Sequence, residues 1–175
     1  MLKKNFKITN MLVLGNISSG KSFFINRINS HFNFKVLAID DLRVKFGDGS
    51  FSKEYYCWLK VFESIERRSG IMIEITGAGP HKHAINQAIK QTNKNWLIIY
   101  LQCALSEIHN RLKSKNLDTP YPWKIAPEKI VDKIHIELEM DMQNRFWENE
   151  NTSILTFPTT NKELPDMNDF LKLLH

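Results

Sequence analysis

The chain has 175 residues, of which 42% are hydrophobic and 25% are charged, and this composition indicates one globular domain spanning residues 1–175. The net charge is +5, but the basic residues are spread along the chain, which favours simple solubility over a nucleic-acid-binding patch. The apolar runs are no longer than strands, and the N-terminus lacks a signal-peptide pattern, so we expect no membrane partner and a cytoplasmic location, unless the protein is exported without such a signal. Cys57 and Cys103 are predicted to be reduced, buried thiols.

Short apolar runs alternate with longer segments of helical periodicity along the chain. The runs cover residues 11–14, 35–39, 71–75, 96–101 and 153–157, and each has the length of a strand. Helical patterns cover residues 22–28, 53–68, 80–92, 104–115, 128–147 and 164–174, and Pro80 is suited to be the first residue of its helix. Strands separated by helices predict an α/β three-layer sandwich, in which a five-stranded parallel sheet carries helices on both faces.

A phosphate-binding motif follows the first predicted strand. Residues 15–22 form the Walker A pattern G-x-x-x-x-G-K-S, with Gly15, Asn16, Ile17, Ser18, Ser19, Gly20, Lys21 and Ser22. The glycines allow successive backbone N–H groups to point at phosphate oxygens, and the N-terminus of the next helix adds its dipole. Lys21 is predicted to reach the β- and γ-phosphates, and the Ser22 hydroxyl to bind Mg²⁺. The motif therefore predicts a nucleotide site for ATP and Mg²⁺.

Polar residues also follow the second and third predicted strands. Asp40, Asp41 and Arg43 come directly after residues 35–39, and Glu74 lies near the end of residues 71–75. In open α/β sheets, ligands bind outside the carboxyl ends of the strands, so we expect these groups to share an edge with the Walker A loop. A carboxylate at this edge is suited to orient and deprotonate an attacking hydroxyl.

The segment Ile39-Asp40-Asp41-Leu42-Arg43 resembles the "D-D-[LY]-R" segment of small P-loop kinases. This group includes the kinase domain of polynucleotide kinases, the gluconate and shikimate kinases and the nucleoside monophosphate kinases. The resemblance implies that Asp40 is the catalytic base and that Arg43 contacts the acceptor. The alternative is that Asp40 and Asp41 only cap the following helix and complement its dipole, and Asp41 is the better candidate for the cap.

Glu74 occupies the position of the Walker B acid, although that residue is usually Asp. A carboxylate within this apolar run needs a cation or a partner, so Glu74 is predicted to bind Mg²⁺ or to contact the acceptor, with a structural salt bridge as the alternative. The turn that begins at Gly77 is similar to the Gly-rich turn that shikimate kinases place under their substrate, and it makes Gly77 a candidate for substrate binding.

Two arginines and a loop complete the resemblance. Residues 107–115 are similar to the "e-x-x-x-R-L-x-x-R" segment that leads into the lid of these kinases, which implies that Arg111 clamps the transferring phosphoryl group. The second arginine of that pattern is replaced by Lys115. The polar segment 116–127, with three prolines, is the predicted lid. Arg145 is a candidate acceptor- or phosphate-binding residue, and a surface salt bridge is its alternative role.

The sequence thus predicts an ATP-dependent phosphotransferase that moves the γ-phosphoryl group to a hydroxyl or phosphate of an unidentified small molecule. Two alternatives stay open: a 5′-hydroxyl polynucleotide kinase acting on RNA or DNA ends, and a nucleotide-binding regulator or NTPase without an acceptor. Nucleic acid is the less favoured acceptor, because the chain shows no basic patch interleaved with aromatic residues. The sequence does not indicate an oligomeric state.

Overall fold

The computed structural model describes residues 7–114, 126–160 and 167–172. Within these ranges the elements are β1 (Asn10–Leu14), α1 (Lys21–Phe32), β2 (Lys35–Ala38), α2 (Ile39–Phe46), α3 (Phe51–Arg67), β3 (Ile71–Glu74), α4 (Lys82–Gln91), β4 (Trp96–Gln102), α5 (Leu105–Leu112), α6 (Pro127–Gln143), β5 (Thr152–Pro158) and α7 (Met167–Lys172). Lys115 and the predicted lid up to residue 125 lie outside the described residues. Pro127, the last residue of that predicted segment, begins α6.

The described strands form one sheet of five strands in the order β2-β3-β1-β4-β5, and all pairs are parallel. Because β3 lies between β1 and β2, Glu74 stands level with Val13 on one side and with Ala38 on the other. The ends of these three strands therefore meet at one edge, as predicted.

Both faces of the sheet are covered by helices. On one face, Phe24, Ile25 and Ile28 of α1 and Phe170 of α7 pack against the sheet. On the other face, the buried residues of the helices are Ile39, Leu42, Cys57, Trp58, Val61, Ile65, Ile85, Ile89 and Leu138. The predicted three-layer α/β arrangement is confirmed. None of the helices in the described ranges is long and apolar enough to cross a membrane.

Several helix boundaries differ from the predicted ones; α1, for example, continues to Phe32, four residues beyond the predicted pattern, and α2 is not among the predicted helical segments. The helix α2 begins at Ile39, directly after β2, and its N-cap is Ala38, so the prediction that Asp41 caps a helix is wrong. Asp40 and Asp41 instead lie in the first turn, where a negative charge complements the helix dipole. The helix α4 begins two residues after Pro80, and α6 ends before Arg145, which has a positive φ of 54°.

The loop between β3 and α4 is held against α6 by charged groups. The Glu137 carboxylate accepts a hydrogen bond from the Gly79 N–H at 3.0 Å and forms an ion pair with Lys82 at 2.8 Å. Lys82 also donates to both carboxylate oxygens of Asp141. Burial alone would raise the pKa of Glu137, but the bonds from Lys82 and Gly79 outweigh burial and hold the pKa below its ordinary value.

Gly77 lies at a close approach between this loop and the core. Its φ is +84°, and a Cβ atom there would stand 2.9 Å from Leu14 Cδ2 and 3.3 Å from Leu138 Cδ2. Packing between β1 and α6 therefore accounts for the glycine at this position, whereas the sequence suggested substrate binding.

Substitution of Gly77 tests this packing. Gly77→Ala combines a left-handed backbone with overpacking, and we expect it to lower the free energy of unfolding by about 2–5 kcal/mol. Gly79→Ala is the matched control, because Gly79 has a φ of +92° but nothing within 4 Å of the added Cβ. Its loss should be confined to the backbone, about 1–2 kcal/mol. Urea denaturation measures both, and equal losses would contradict the packing role of Gly77.

Because of the ion pair between Glu137 and Lys82, we expect the free energy of unfolding to depend on pH. A carboxyl group whose pKa is lowered by folding adds stability above its ordinary pKa of 4.5, and this stability is lost as the pH falls through the lowered value. Glu137→Gln should therefore destabilise the protein more at about pH 7 than at about pH 3, as measured by urea denaturation at each pH.

The control is the same substitution in a Lys82→Met background. Without the ammonium group, the main cause of the lowered pKa is gone, so the pH dependence of the Glu137→Gln effect should largely disappear. A pH dependence that persists unchanged in that background would show that Lys82 is not its source.

Candidate active site

The Walker A loop adopts the geometry expected of a phosphate cradle. Gly15 has a φ of +155°, and a Cβ atom there would meet Ser19 Oγ at 2.5 Å. Ser18 and Gly20 also have positive φ values, and Gly20 is the N-cap of α1. No side chain of the described residues caps α1 there. The first N–H groups of a helix have no partner within it, and together with the curled loop they form a site for an anion.

Lys21 and Ser22 occupy the first turn of α1. The Lys21 ammonium donates to the carbonyl oxygens of Gly15 and Asn16, at 3.0 and 2.9 Å, so it lies folded across the loop. The Ser22 hydroxyl donates to Glu74 Oε1 at 3.0 Å. The structure thus brings together the two residues that the sequence predicted as metal ligands, although 52 positions separate them along the chain.

Hard oxygen donors of this kind fit Mg²⁺, which binds proteins through one or two carboxylates and completes its shell with phosphates and water. Within the described ranges, no group of three or more His, Cys, Asp or Glu side chains could hold a metal by itself. A magnesium ion held by Ser22 and Glu74 would therefore depend on the phosphates of a bound nucleotide for further ligands.

Neighbouring elements hold the loop in place. The Asn16 side chain is buried and donates from Nδ2 to the Val131 carbonyl of α6 at 2.9 Å. Thr159, just after β5, donates from its hydroxyl to the Ser19 carbonyl at 2.9 Å. Neither contact was predicted from the sequence, since each joins residues more than a hundred positions apart. Ile17 packs on the apolar cluster between α5 and α6.

Arg111 lies beside the loop, at the end of α5. Its guanidinium donates to main-chain carbonyls of Thr159 at 2.6 Å, Thr160 at 3.1 Å and Ser18 at 3.3 Å, and its Nε donates to Glu107. Arg111 thus joins the Walker A loop to the segment after β5. The sequence predicted a phosphoryl clamp, and the structure places the guanidinium next to the loop with these bonds to main-chain oxygens.

Asp40 stands at the same edge, in the first turn of α2, with a side chain that is 53% exposed. One of its carboxylate oxygens accepts a hydrogen bond from Arg43 Nη1 at 2.8 Å. The Arg43 side chain is only 8% exposed, and its Nε donates to Glu54 Oε2 at 2.9 Å while Nη2 donates to Oε1. Arg43 therefore joins an exposed carboxylate to a buried one, whereas the sequence assigned it to the acceptor.

Glu54, the buried partner of Arg43, was also missed by the sequence analysis. Burial raises the pKa of Glu54, but the hydrogen bonds and charge of Arg43 outweigh burial and lower the pKa, so Glu54 is ionised at neutral pH. Trp58 also donates from Nε1 to Glu54 at 2.8 Å, and its ring stacks on His81 with centroids 4.5 Å apart. A signal existed, because Glu54 lies on the apolar face of α3 with Trp58 and Val61, where a carboxylate needs a partner.

Arg145 does not join the site. It follows the C-terminal end of α6, whose first half contacts the Walker A loop, so it lies toward the opposite edge of the sheet. Its side chain is 78% exposed and stands 3.7 Å from Glu148. Together with Asp141 and Trp147 it lines a cavity of about 300 Å³ there. The surface pair that the sequence analysis gave as the alternative is what the structure shows.

No protein-family model matches the sequence, and the search of curated proteins gave no match. Solved structures do match. Shikimate kinase from Acinetobacter baumannii in complex with shikimate has a TM-score of 0.60 at 14% identity, over 97% of this chain and 94% of that one. A gluconokinase from Sinorhizobium meliloti 1021 has a TM-score of 0.52 at 13% identity, over 87% and 84%.

A chain of the Pnkp1/Rnl/Hen1 RNA repair complex has a TM-score of 0.64 at 18% identity, over 96% of this chain and 56% of that one. These identities are low, so the likeness concerns the fold. The resemblance that residues 39–43 suggested is confirmed at that level: the chain has the α/β fold of the small P-loop kinases.

Proposed function

We propose that this protein is an ATP-dependent phosphotransferase that moves the γ-phosphoryl group to a hydroxyl of a small molecule. The observation that carries the proposal is the common edge of β1, β3 and β2, where the Walker A loop, the Ser22–Glu74 pair and Asp40 follow neighbouring strands. Phosphoryl transfer depends mainly on positioning and electrostatic stabilisation, and this edge offers residues for both donor and acceptor.

The part of the site that would bind the phosphoryl donor, ATP, is called the donor half, and it consists of the Walker A loop with Lys21. The backbone N–H groups of residues 15–22 and the N-terminus of α1 would hold the phosphates. Lys21 would exchange its bonds to the Gly15 and Asn16 carbonyls for phosphate oxygens. Ser22 and Glu74 would hold Mg²⁺, which neutralises phosphate charge when bound. Arg111 adds a permanent positive charge next to the loop.

The part of the site that would bind the acceptor, called the acceptor half, contains Asp40. Its exposed carboxylate would accept the proton of the acceptor hydroxyl while the oxygen forms a bond to the γ-phosphorus and the bond to the β-phosphate oxygen breaks, releasing ADP. Arg43 holds one oxygen of this carboxylate, so we assign Arg43 to the positioning of Asp40 rather than to the acceptor.

An ATP-consumption screen tests the proposal. The acceptors are nucleosides, nucleotides, sugars, shikimate-like acids and 5′-hydroxyl oligonucleotides, and we expect a small hydroxyl compound to stimulate ADP release and to appear as a phosphorylated product. Transfer to oligonucleotides alone would favour the polynucleotide-kinase alternative. Hydrolysis of ATP that no acceptor stimulates would favour the NTPase or regulator alternative.

Asp40→Asn removes the proposed base and keeps its size. We expect kcat for transfer to fall by about 10²–10⁴-fold, while the Kd for ATP changes by less than about threefold. Product formation and ATP titration measure the two quantities. Asp41→Asn is the matched control, since Asp41 is an exposed carboxylate in the same helical turn, and it should transfer at the parental rate. Parental transfer by Asp40→Asn would remove the base assignment.

Lys21→Ala tests the donor half. Because Lys21 would contact only the phosphates of ATP, we expect the substitution to lower kcat/KM by about 10²-fold or more with every acceptor that the protein uses. Steady-state kinetics with two acceptors check this result. Turnover that survives the substitution undiminished would contradict the role of the Walker A loop in transfer.

A further inference from the structure

The direction in which a peptide group of the Walker A loop points depends on residues outside the loop. A trans peptide group directs its C=O and its N–H to opposite sides, and none of the described peptide bonds is cis. A loop that points N–H groups at an anion must therefore turn the carbonyl oxygens of the same peptide groups away from it. Buried carbonyl oxygens need partners, so the residues that bond them fix which N–H groups face a phosphate.

The first peptide group that is bonded from outside the loop joins Ser18 to Ser19. Arg111 donates to its carbonyl oxygen, that of Ser18, at 3.3 Å. The N–H of the same peptide group belongs to Ser19, and it donates to the Asn16 carbonyl at 3.2 Å. This N–H is therefore used within the loop itself.

The second such peptide group joins Ser19 to Gly20. Its carbonyl oxygen, that of Ser19, accepts a hydrogen bond from the Thr159 hydroxyl at 2.9 Å, so the Gly20 N–H points away from Thr159. Gly20 is the N-cap of α1, and no main-chain hydrogen bond within the described ranges uses its N–H. This N–H can therefore donate to a phosphate oxygen, in contrast to that of Ser19.

Thr159 is itself held at both ends of its main chain. Its N–H donates to the Gln102 carbonyl at 2.8 Å, and its carbonyl accepts from Arg111 Nη2 at 2.6 Å. The residue is only 2% exposed. The hydroxyl has a second, longer contact of 3.4 Å with the Gln102 carbonyl, an oxygen that the Thr159 N–H already bonds. A donor fixed in this way orients its partner before a ligand arrives, which lowers the cost of binding.

We propose, on the basis of the phosphotransferase function above, that Thr159 is a positioning residue for the phosphates of ATP. Its hydroxyl keeps the peptide group between Ser19 and Gly20 turned so that the Gly20 N–H donates to a phosphate oxygen. Hydrogen bonds to charged groups are stronger than those between neutral groups, so the direction of this one N–H affects the affinity for phosphate. Without the hydroxyl, the Ser19 carbonyl loses its partner and the peptide group gains freedom to turn.

Thr159→Val tests the proposal, because valine has a similar shape and lacks the hydroxyl. Calorimetric titration with ATP, and with inorganic tripolyphosphate, which has no nucleoside, measures the effect on phosphate binding. We expect the Kd for both ligands to rise by about tenfold in Thr159→Val. Thr159→Ser retains the hydroxyl, so its Kd for both should stay within about threefold of the unmodified protein's.

Three results with folded variants would overturn the proposal. The first is a Kd in Thr159→Val that stays within about threefold of the unmodified protein's. The second is an equal rise in Thr159→Ser, and the third is a rise for ATP that tripolyphosphate does not share, since the proposal concerns phosphates alone. Each of them leaves the proposed phosphotransferase function standing.

Thr152→Val is the matched control for a general loss of stability. Thr152 is 3% exposed and lies at the other end of the same strand, and its hydroxyl donates to the Trp147 carbonyl at 3.0 Å. Because this bond is remote from the Walker A loop, the Kd for ATP and for tripolyphosphate should not change. A rise equal to that in Thr159→Val would show that lost stability is the cause, and it would overturn the proposal.

Amide NMR spectra of the unmodified protein provide a test that does not depend on the folding of Thr159→Val. The Gly20 amide proton should move downfield when tripolyphosphate binds, because it then donates to a charged acceptor. Binding of tripolyphosphate without this movement overturns the proposal alone. An unmodified protein that binds neither tripolyphosphate nor ATP removes the phosphotransferase function and this proposal with it.

Discussion

The candidate site depends on the order of the strands in the parallel sheet. Glu74 stands level with Val13 and Ala38 because β3 lies between β1 and β2. The chain leaves β1 into the Walker A loop and leaves β2 into α2, so Ser22 and Asp40 emerge on the two sides of this carboxylate. Parallel neighbours need long crossover connections, and α1 and α3 provide them here. The site is therefore assembled by topology from segments that are distant along the chain.

The sequence was sufficient for the features that local chemistry determines. The apolar runs predicted each strand to within one residue at either end, because buried parallel strands have nearly continuous apolar sequences. The Walker A pattern predicted a loop whose glycines have positive φ, which L-residues rarely adopt. The position of Glu74 near the end of β3 was enough to predict that it shares an edge with the Walker A loop, where it accepts a hydrogen bond from Ser22.

The sequence was not sufficient where the partner of a residue depends on how separate elements pack together. Arg43 lies eleven residues from Glu54, and the same arginine pattern fits an acceptor ligand as well as a buried pair. Gly77 belongs to a Gly-rich turn of a common kind, and only the neighbouring Leu14 and Leu138 explain why a glycine is required there. Arg145 was placed near the site by analogy, but the direction of α6 carries it toward the other edge.

The Arg43–Glu54 pair is better explained by positioning than by stability. Removing two charges from water costs several kcal/mol per ion, and the attraction between them repays this cost only when the geometry is good and the remaining donors and acceptors are bonded. Here the fork is bidentate, Trp58 bonds the same carboxylate, and the remaining nitrogen reaches Asp40. An apolar pair could fill the same volume at similar stability. It could not hold an exposed carboxylate in one orientation beside a phosphate loop.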